Sequence, residues 1–434
     1  MDEAATIRGT SAAEIVESVR DLVGAGQLSS GSALPPIRGL AADLGVNRNT
    51  VAAAYAQLAA AGIVQTRRRG GTVVLGVPVM DGEGRHIGGD LVNLASGNPA
   101  PEFLPEMTGS YVEGYVPPLY GHPPVSTRLR EWAERAMGPD VAGAAHDLVL
   151  AHGAVDAVER LLTAHLTRGD AIAVEDPCFL SSIGTMRLNG YRSVPVAMDA
   201  EGMVPDALAA AVAAGVRAVV CTPRSHNPTG ATVSRERAAR LREILARQPE
   251  VLVIEDDHFS AIAANGYHRI TPPGAAHWAL VRSVSKFLGP DLRLAFVLAD
   301  PGSAARMSTR LSPAATWVSH LLQHVVASML DDETVAQLLA RARTGYAQRH
   351  RFLVDALDHA GIVMPPPGDG LNVWIPLSGR EKQLIGALAD RGWAVRAGTD
   401  FAVTDRAAPA LRVTTSTMTS RQAREFAADL ADVM

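Results

Sequence analysis

Residues 282–295 read RSVSKFLGPDLRLA and follow the short apolar run Ala279–Val281. Among the 40 basic residues of this 434-residue chain only Lys286 and Lys382 are lysines, so plain positive charge is nearly always supplied by arginine. Arginine does not condense with an aldehyde, whereas a lysine amine does. Lys382 sits in the charged run Arg380-Glu381-Lys382, which reads as an exposed helix face. Lys286 has the hydroxyls of Ser283 and Ser285 before it and Arg293 seven residues beyond. An amine flanked by hydroxyls and a guanidinium suits a partner that carries both an aldehyde and a phosphate.

The run before Lys286 belongs to a series with strand character: Leu148–Leu150, Ala171–Glu175, Ala218–Thr222, Val251–Glu255, Ala279–Val281 and Ala295–Leu298. Alanine- and leucine-rich helical stretches separate them. This alternation predicts an α/β domain whose mainly parallel sheet is covered on both faces. It starts near Asn93 and continues through residue 434. Ahead of it, residues 76–92 are glycine-rich, lack periodicity and read as a linker. Residues 1–75 alternate short helices with tight turns.

Three other segments of the α/β region carry groups for the same chemistry. The run Val253–His258 ends a strand in acids, and a carboxylate there can hold a pyridine nitrogen protonated. On chemistry alone either Asp256 or Asp257 can serve. His226-Asn227-Pro228-Thr229-Gly230 follows another strand; its Asn227 amide can bond a phenolate oxygen, and a cis Asn-Pro bond would aim it. Ala151-His152-Gly153-Ala154-Val155 leads into a helix whose free N–H groups can bind phosphate. Phe179, in Glu175-Asp176-Pro177-Cys178-Phe179, offers an aromatic face for stacking.

At the N-terminus, Ile37, Leu40, Ala41 and Leu44 fall at helical spacing, and Gly45 closes that helix. Asn47 caps the next, whose apolar side is Val51, Tyr55 and Leu58. Two short helices about a glycine turn predict a helix-turn-helix, with Arg48, Asn49 and Thr50 at the exposed start of its second helix. The runs 63–66 and 72–74 read as strands joined by Arg67, Arg68, Arg69 and two glycines, a basic wing able to reach a nucleic-acid backbone. The net charge of the whole chain is -5, yet the segment 34–75 carries +4. A basic patch confined to one small segment is what phosphate attraction requires.

Composition excludes several classes. The first 20 residues hold four acids and two arginines, which is no signal-peptide layout, and the longest apolar run is broken by Arg217. Cys178 and Cys221 make neither a disulfide framework nor a metal site. The expected compartment is the cytoplasm.

The stretch 34–74, LPPIRGLAADLGVNRNTVAAAYAQLAAAGIVQTRRRGGTVV, resembles the GntR family of winged-helix regulators. The phrases TPRSHNPTG, IEDDHF, SVSKFLGPDLRLA and TWVSHLLQ resemble fold-type I aminotransferases. Over essentially its whole length the chain is similar to the MocR subgroup of GntR regulators, which fuses these two parts. The resemblance implies a fold-type I domain with a smaller α+β C-terminal part, binding pyridoxal 5′-phosphate. Lys286 would bond covalently to the aldehyde and Asp256 would pair with the pyridinium nitrogen. Asn227, with His258 beside it, would face the phenolic oxygen. Ser283, Ser285, Arg293 and the backbone of Ala154 and Val155 would hold the phosphate, and Phe179 would stack on the ring. Arg412 matches the arginine that receives a substrate or effector carboxylate. Arg38, Arg48 and the wing would contact DNA. The resemblance further implies a head-to-tail homodimer reading two operator half-sites. It implies a transcriptional regulator whose effector is pyridoxal phosphate or its amino acid adduct, with vitamin B6 metabolism as the setting. The alternative it leaves is an active aminotransferase with an accessory DNA-binding domain. Two departures bear on that choice: many relatives have tyrosine where His258 stands, and Phe179 replaces the usual tyrosine. Binding should survive both changes, whereas turnover is less assured.

Overall fold

The computed structural model describes residues 6–29, 31–67, 71–74, 83–84, 90–311, 316–365, 368–404 and 408–434. The chain forms two compact units, one of Met1–Asp81 with Thr167–Asp170 and Ser181–Arg192, the other comprising the remainder.

In the first unit, helix Ala12–Gly24 is capped by the Ser11 hydroxyl and buries Ile15, Val16, Val19 and Val23. Helix Ile37–Leu44 ends at Gly45, whose left-handed φ of +66° favours glycine, and helix Arg48–Ala60 starts at Asn47, whose side chain accepts the Asn49 N–H at 2.9 Å. Val51, Tyr55 and Leu58 are buried, as their spacing predicts. Ile37 is not; it is exposed, and Leu40 and Ala41 alone carry that helix's fully buried face. Strands Val64–Arg67 and Gly71–Val74 form the hairpin, and a strand unforeseen in the sequence, Ala33–Leu34, adds to its edge. A two-residue strand has no periodicity to read.

The second unit is built on an eight-stranded sheet. All six strands expected from the sequence are present, at Asp147–Ala151, Ala171–Asp176, Ala218–Cys221, Leu252–Asp256, Trp278–Ser283 and Ala295–Ala299. Ala171–Asp176, Ala218–Cys221, Leu252–Asp256 and Trp278–Ser283 lie side by side in that order and pair parallel, whereas Ala295–Ala299 is antiparallel to both of its neighbours. The edge strands Arg192–Asp199 and Gly202–Met203 lacked a readable signal, because only Val196 of the first is buried. A smaller C-terminal sheet follows, with Ala410–Thr414 between Asn372–Pro376 and Arg396–Ala397. Val92–Asn93 pairs with Trp393–Ala394, tying the start of this unit to its end. Among the described residues no helix is long and apolar enough to cross a membrane.

Candidate functional site

The strand ends of the large sheet collect most of the residues singled out above. Strand Leu252–Asp256 lies parallel to Trp278–Ser283, with Asp256 opposite Val281, so Asp256 and Lys286 leave neighbouring strands on the same side. Lys286 donates from Nζ to the Gly97 carbonyl at 2.9 Å. Burial pulls its amine below the ordinary lysine range, with Arg412 adding to and Glu83 opposing that pull. A lysine shifted this way holds more of the neutral, nucleophilic form.

The two acids left open by the sequence have different partners. Asp257 is fully buried and committed: it accepts Arg224 Nε at 2.6 Å, Arg224 Nη2 at 2.8 Å and Arg282 Nε at 2.7 Å. Asp256 is buried, and among the described residues its Oδ1 has no hydrogen-bond partner. Burial first, then the charges of Asp257 and Glu175, push its carboxyl up to about 7. An orphaned acid at this depth is what a protonated ring nitrogen would satisfy. His258 Nδ1 is 3.9 Å from Asp256 Oδ1. Burial and the nearby Lys286 charge push His258 down to about 4, so its imidazole is neutral near pH 7 and remains a hydrogen-bonding group.

This yields a pH prediction for the cofactor-free protein. The folded state keeps a proton on Asp256 up to about pH 7, whereas the unfolded chain releases it in the ordinary carboxylate range. Stability from this group is therefore fully present at low pH and is lost as pH rises through that window. Asp256→Asn should abolish that loss, seen as a flatter plot of urea midpoint against pH between about pH 4 and 8.

The phosphate residues also converge. Strand Ala295–Ala299 separates Asp147–Ala151 from Trp278–Ser283, placing the start of helix Ala154–His165 near Ser283 and Arg293. Ser283 Oγ is 3.0 Å from Ser285 Oγ, and Arg293 Nη2 donates to the His152 carbonyl at 3.0 Å. A side chain on Gly153, whose φ is +96°, would strike that guanidinium at 2.8 Å. Among the described residues no side chain caps helix Ala154–His165, leaving the N–H groups of Ala154 and Val155 for an anion. Phe179 lies half-buried in the turn after Ala171–Asp176.

Asn227 is buried beside a cis Asn227–Pro228 bond. Its Oδ1 accepts from Asn372 Nδ2 at 3.2 Å, which leaves Nδ2 to reach into the site, where it donates to Glu83 Oε1 at 2.6 Å. Arg412 is fully buried on strand Ala410–Thr414, and its Nη1 lies 2.8 and 2.9 Å from the two Glu83 oxygens. Sequence reasoning missed Glu83, Gly97 and Asn372. Asn372 opens a short apolar strand, Asn372–Pro376, but Glu83 is an acid between two glycines, 329 residues from its arginine, and carries no local signal.

In the reader, Arg38, Arg48 and Asn49 are exposed and Thr50 is half-buried at the start of its helix. Arg67 ends a strand, its backbone paired with Gly71; its side chain, with Arg68 and Arg69, lies outside the described residues.

Comparison with known proteins accounts for both halves. Residues 91–430 match the family Aminotransferase class I and II, and residues 11–74 match bacterial regulatory proteins of the gntR family. The vitamin B6 salvage pathway transcriptional repressor PtsJ of Salmonella typhimurium is 44% identical over 430 residues, covering 98% of either chain. The probable rhizopine catabolism regulatory protein MocR of Rhizobium meliloti is 24% identical, covering 79% of this chain and 76% of its own. The HTH-type pyridoxine biosynthesis transcriptional regulator PdxR of Corynebacterium glutamicum is 26% identical, covering 88% and 87%. Among solved structures, kynurenine aminotransferase of Pyrococcus horikoshii shares the fold, with a TM-score of 0.71 at 22% identity over 80% of this chain and 91% of that one. With a gntR-type reader at its N-terminus and a class I and II aminotransferase domain over most of its remaining length, the chain belongs to the MocR subgroup of the GntR regulators.

Proposed function

We propose that this protein is a DNA-binding transcriptional regulator of vitamin B6 metabolism that senses pyridoxal 5′-phosphate, alone or joined to an amino acid. The observation that carries the reading is Asp256, a buried carboxylate with one oxygen unpartnered among the described residues, at the end of the strand next to the one that leads to half-buried Lys286. When bound, pyridoxal phosphate supplies an amine-capturing aldehyde and an electron-withdrawing ring. The chain's part is to hold it. Lys286 is positioned to bond its aldehyde carbon, Asp256 to keep its ring nitrogen protonated, and Asn227 with neutral His258 to bond its phenolic oxygen. Ser283, Ser285, Arg293 and the N–H groups of Ala154 and Val155 are the phosphate's donors, and Phe179 is the stacking surface. The names of PtsJ and PdxR support the vitamin B6 setting.

Two copies, assembled head to tail, would present two readers to two half-sites. The exposed apolar side chains of Val116, Leu119 and Tyr120 support self-association. DNA affinity responds to the cofactor only if the cofactor binds two conformations unequally.

Gel shift of the DNA upstream of the protein's own gene, with and without pyridoxal phosphate, tests this reading. Binding whose affinity changes with cofactor is the expected result; absence of binding in both states would sink it. Arg48→Ala should weaken specific binding by about 1–3 kcal/mol if the arginine reads a base edge, and uniformly across sequences if it touches only phosphate.

A further inference from the structure

Glu83 lies in the stretch that reads from sequence as a linker, yet its carboxylate has the surroundings of a bound ligand. Both oxygens face Arg412 Nη1, at 2.8 and 2.9 Å, and Oε1 also accepts from Asn227 Nδ2 at 2.6 Å. Its side chain is 13% exposed and that of Arg412 0%. Burial works against ionising Glu83, but Arg412, Lys286 and the Asn227 amide outweigh it and hold the carboxyl below its ordinary range. Two further features are built around this acid. Gly97, with φ +65°, clears its space, for a Cβ there would collide with the Glu83 carboxylate and lie 2.9 Å from Arg412 Nη1. The next residue, Gly84, donates its backbone N–H to the Ser96 carbonyl at 2.7 Å, fixing the chain beside the pocket.

A buried guanidinium without a counter-ion is strongly unfavourable, so Arg412 exchanges one carboxylate for another more readily than it stands alone. We infer that Glu83 is a tethered carboxylate ligand of Arg412, occupying the place of a free carboxylate, and that any carboxylate-bearing effector must displace it from that arginine. The inference rests on the reading of Arg412 as a carboxylate receiver and deepens the proposed function by naming what an amino acid competes with. Pyridoxal phosphate alone, or an amine without a carboxyl group, needs no such exchange. Because the competitor is tethered, its local concentration is fixed by the chain, and removing it should sharpen the response to free carboxylates.

The test uses the full-length, cofactor-free chain with sodium acetate as probe, ionic strength held constant with chloride. Glu83→Ala should melt at a lower temperature than the natural protein, and acetate should restore the loss with saturation. Neither the natural protein nor the Glu83→Ala, Arg412→Met double variant should respond. Equal response in all three, or none in Glu83→Ala, overturns the inference. A second measurement guards against a poorly folding variant: Glu83→Gln loaded with pyridoxal phosphate should show its absorbance change with L-alanine at a concentration about ten-fold lower than the natural protein. An unchanged midpoint overturns the inference as well. Failure of the natural protein to take up pyridoxal phosphate would defeat the proposed cofactor and leave the acetate result standing.

Discussion

Lys286→Ala, incubated with pyridoxal phosphate and then borohydride, is expected to carry no added cofactor mass, whereas the natural protein should carry one cofactor on the peptide containing residue 286. The contrast is all-or-none because the chain's other lysine, Lys382, lies on the helix Glu381–Asp390 and is exposed. Only Lys286 has its amine drawn into a pocket, donating to Gly97, with its charge disfavoured by burial. An exposed lysine stays almost wholly protonated near neutrality and forms imines poorly. Mass spectrometry of the reduced protein decides the matter. Label on Lys382, or equal label in the variant, would remove the chemical basis for cofactor sensing. Visible absorbance should disappear in the same variant, while non-covalent retention through the phosphate donors remains measurable by dialysis.

Asp257→Ala is expected to lose about 3–5 kcal/mol of stability, the cost of breaking a buried ion pair from one side. The loss arises because Asp257 is shared. Arg224 binds it through two nitrogens and Arg282 through one. Among the described residues only Arg282 of the two has a second carboxylate, Asp140, with Oδ2 2.7 Å from its Nη2. The Tyr267 ring lies beside both guanidiniums, 5.8 Å from Arg224 and 5.1 Å from Arg282, an aromatic face that supplies no carboxylate in place of the lost one. Asp256→Ala removes the adjacent acid but breaks no hydrogen bond at Oδ1, and should cost far less near pH 7. Urea denaturation of the two variants is the check. Equal losses would mean that Asp257 acts through chain packing rather than through its arginines.

The contrast between these neighbours also shows where the sequence stops speaking. The six strands flanking the pocket were legible because each is a short apolar run, and Lys286 stood out by the scarcity of lysine. The helix-turn-helix was legible through its glycine turn and asparagine cap. Which of two adjacent acids stays unpaired was not, because the answer lies in Arg224 and Arg282, 33 and 25 residues away in the chain. Ile37 matched the apolar spacing of its helix but sits at the first turn, where the face is not covered. Glu83 was least legible of all. Nothing in a glycine-rich stretch says that one acid will meet an arginine near the far end of the chain.

That distance has a consequence for how the protein comes into being. Among the described residues the apolar core of the reader draws on residues 7 to 74, so it can consolidate while synthesis is still under way. The pocket is different: Arg412 reaches back to Ala95, a span of 317 residues, and Val92–Asn93 waits for Trp393–Ala394. A polypeptide released by premature termination before residue 410 would possess a finished recognition module and an unfinished sensor.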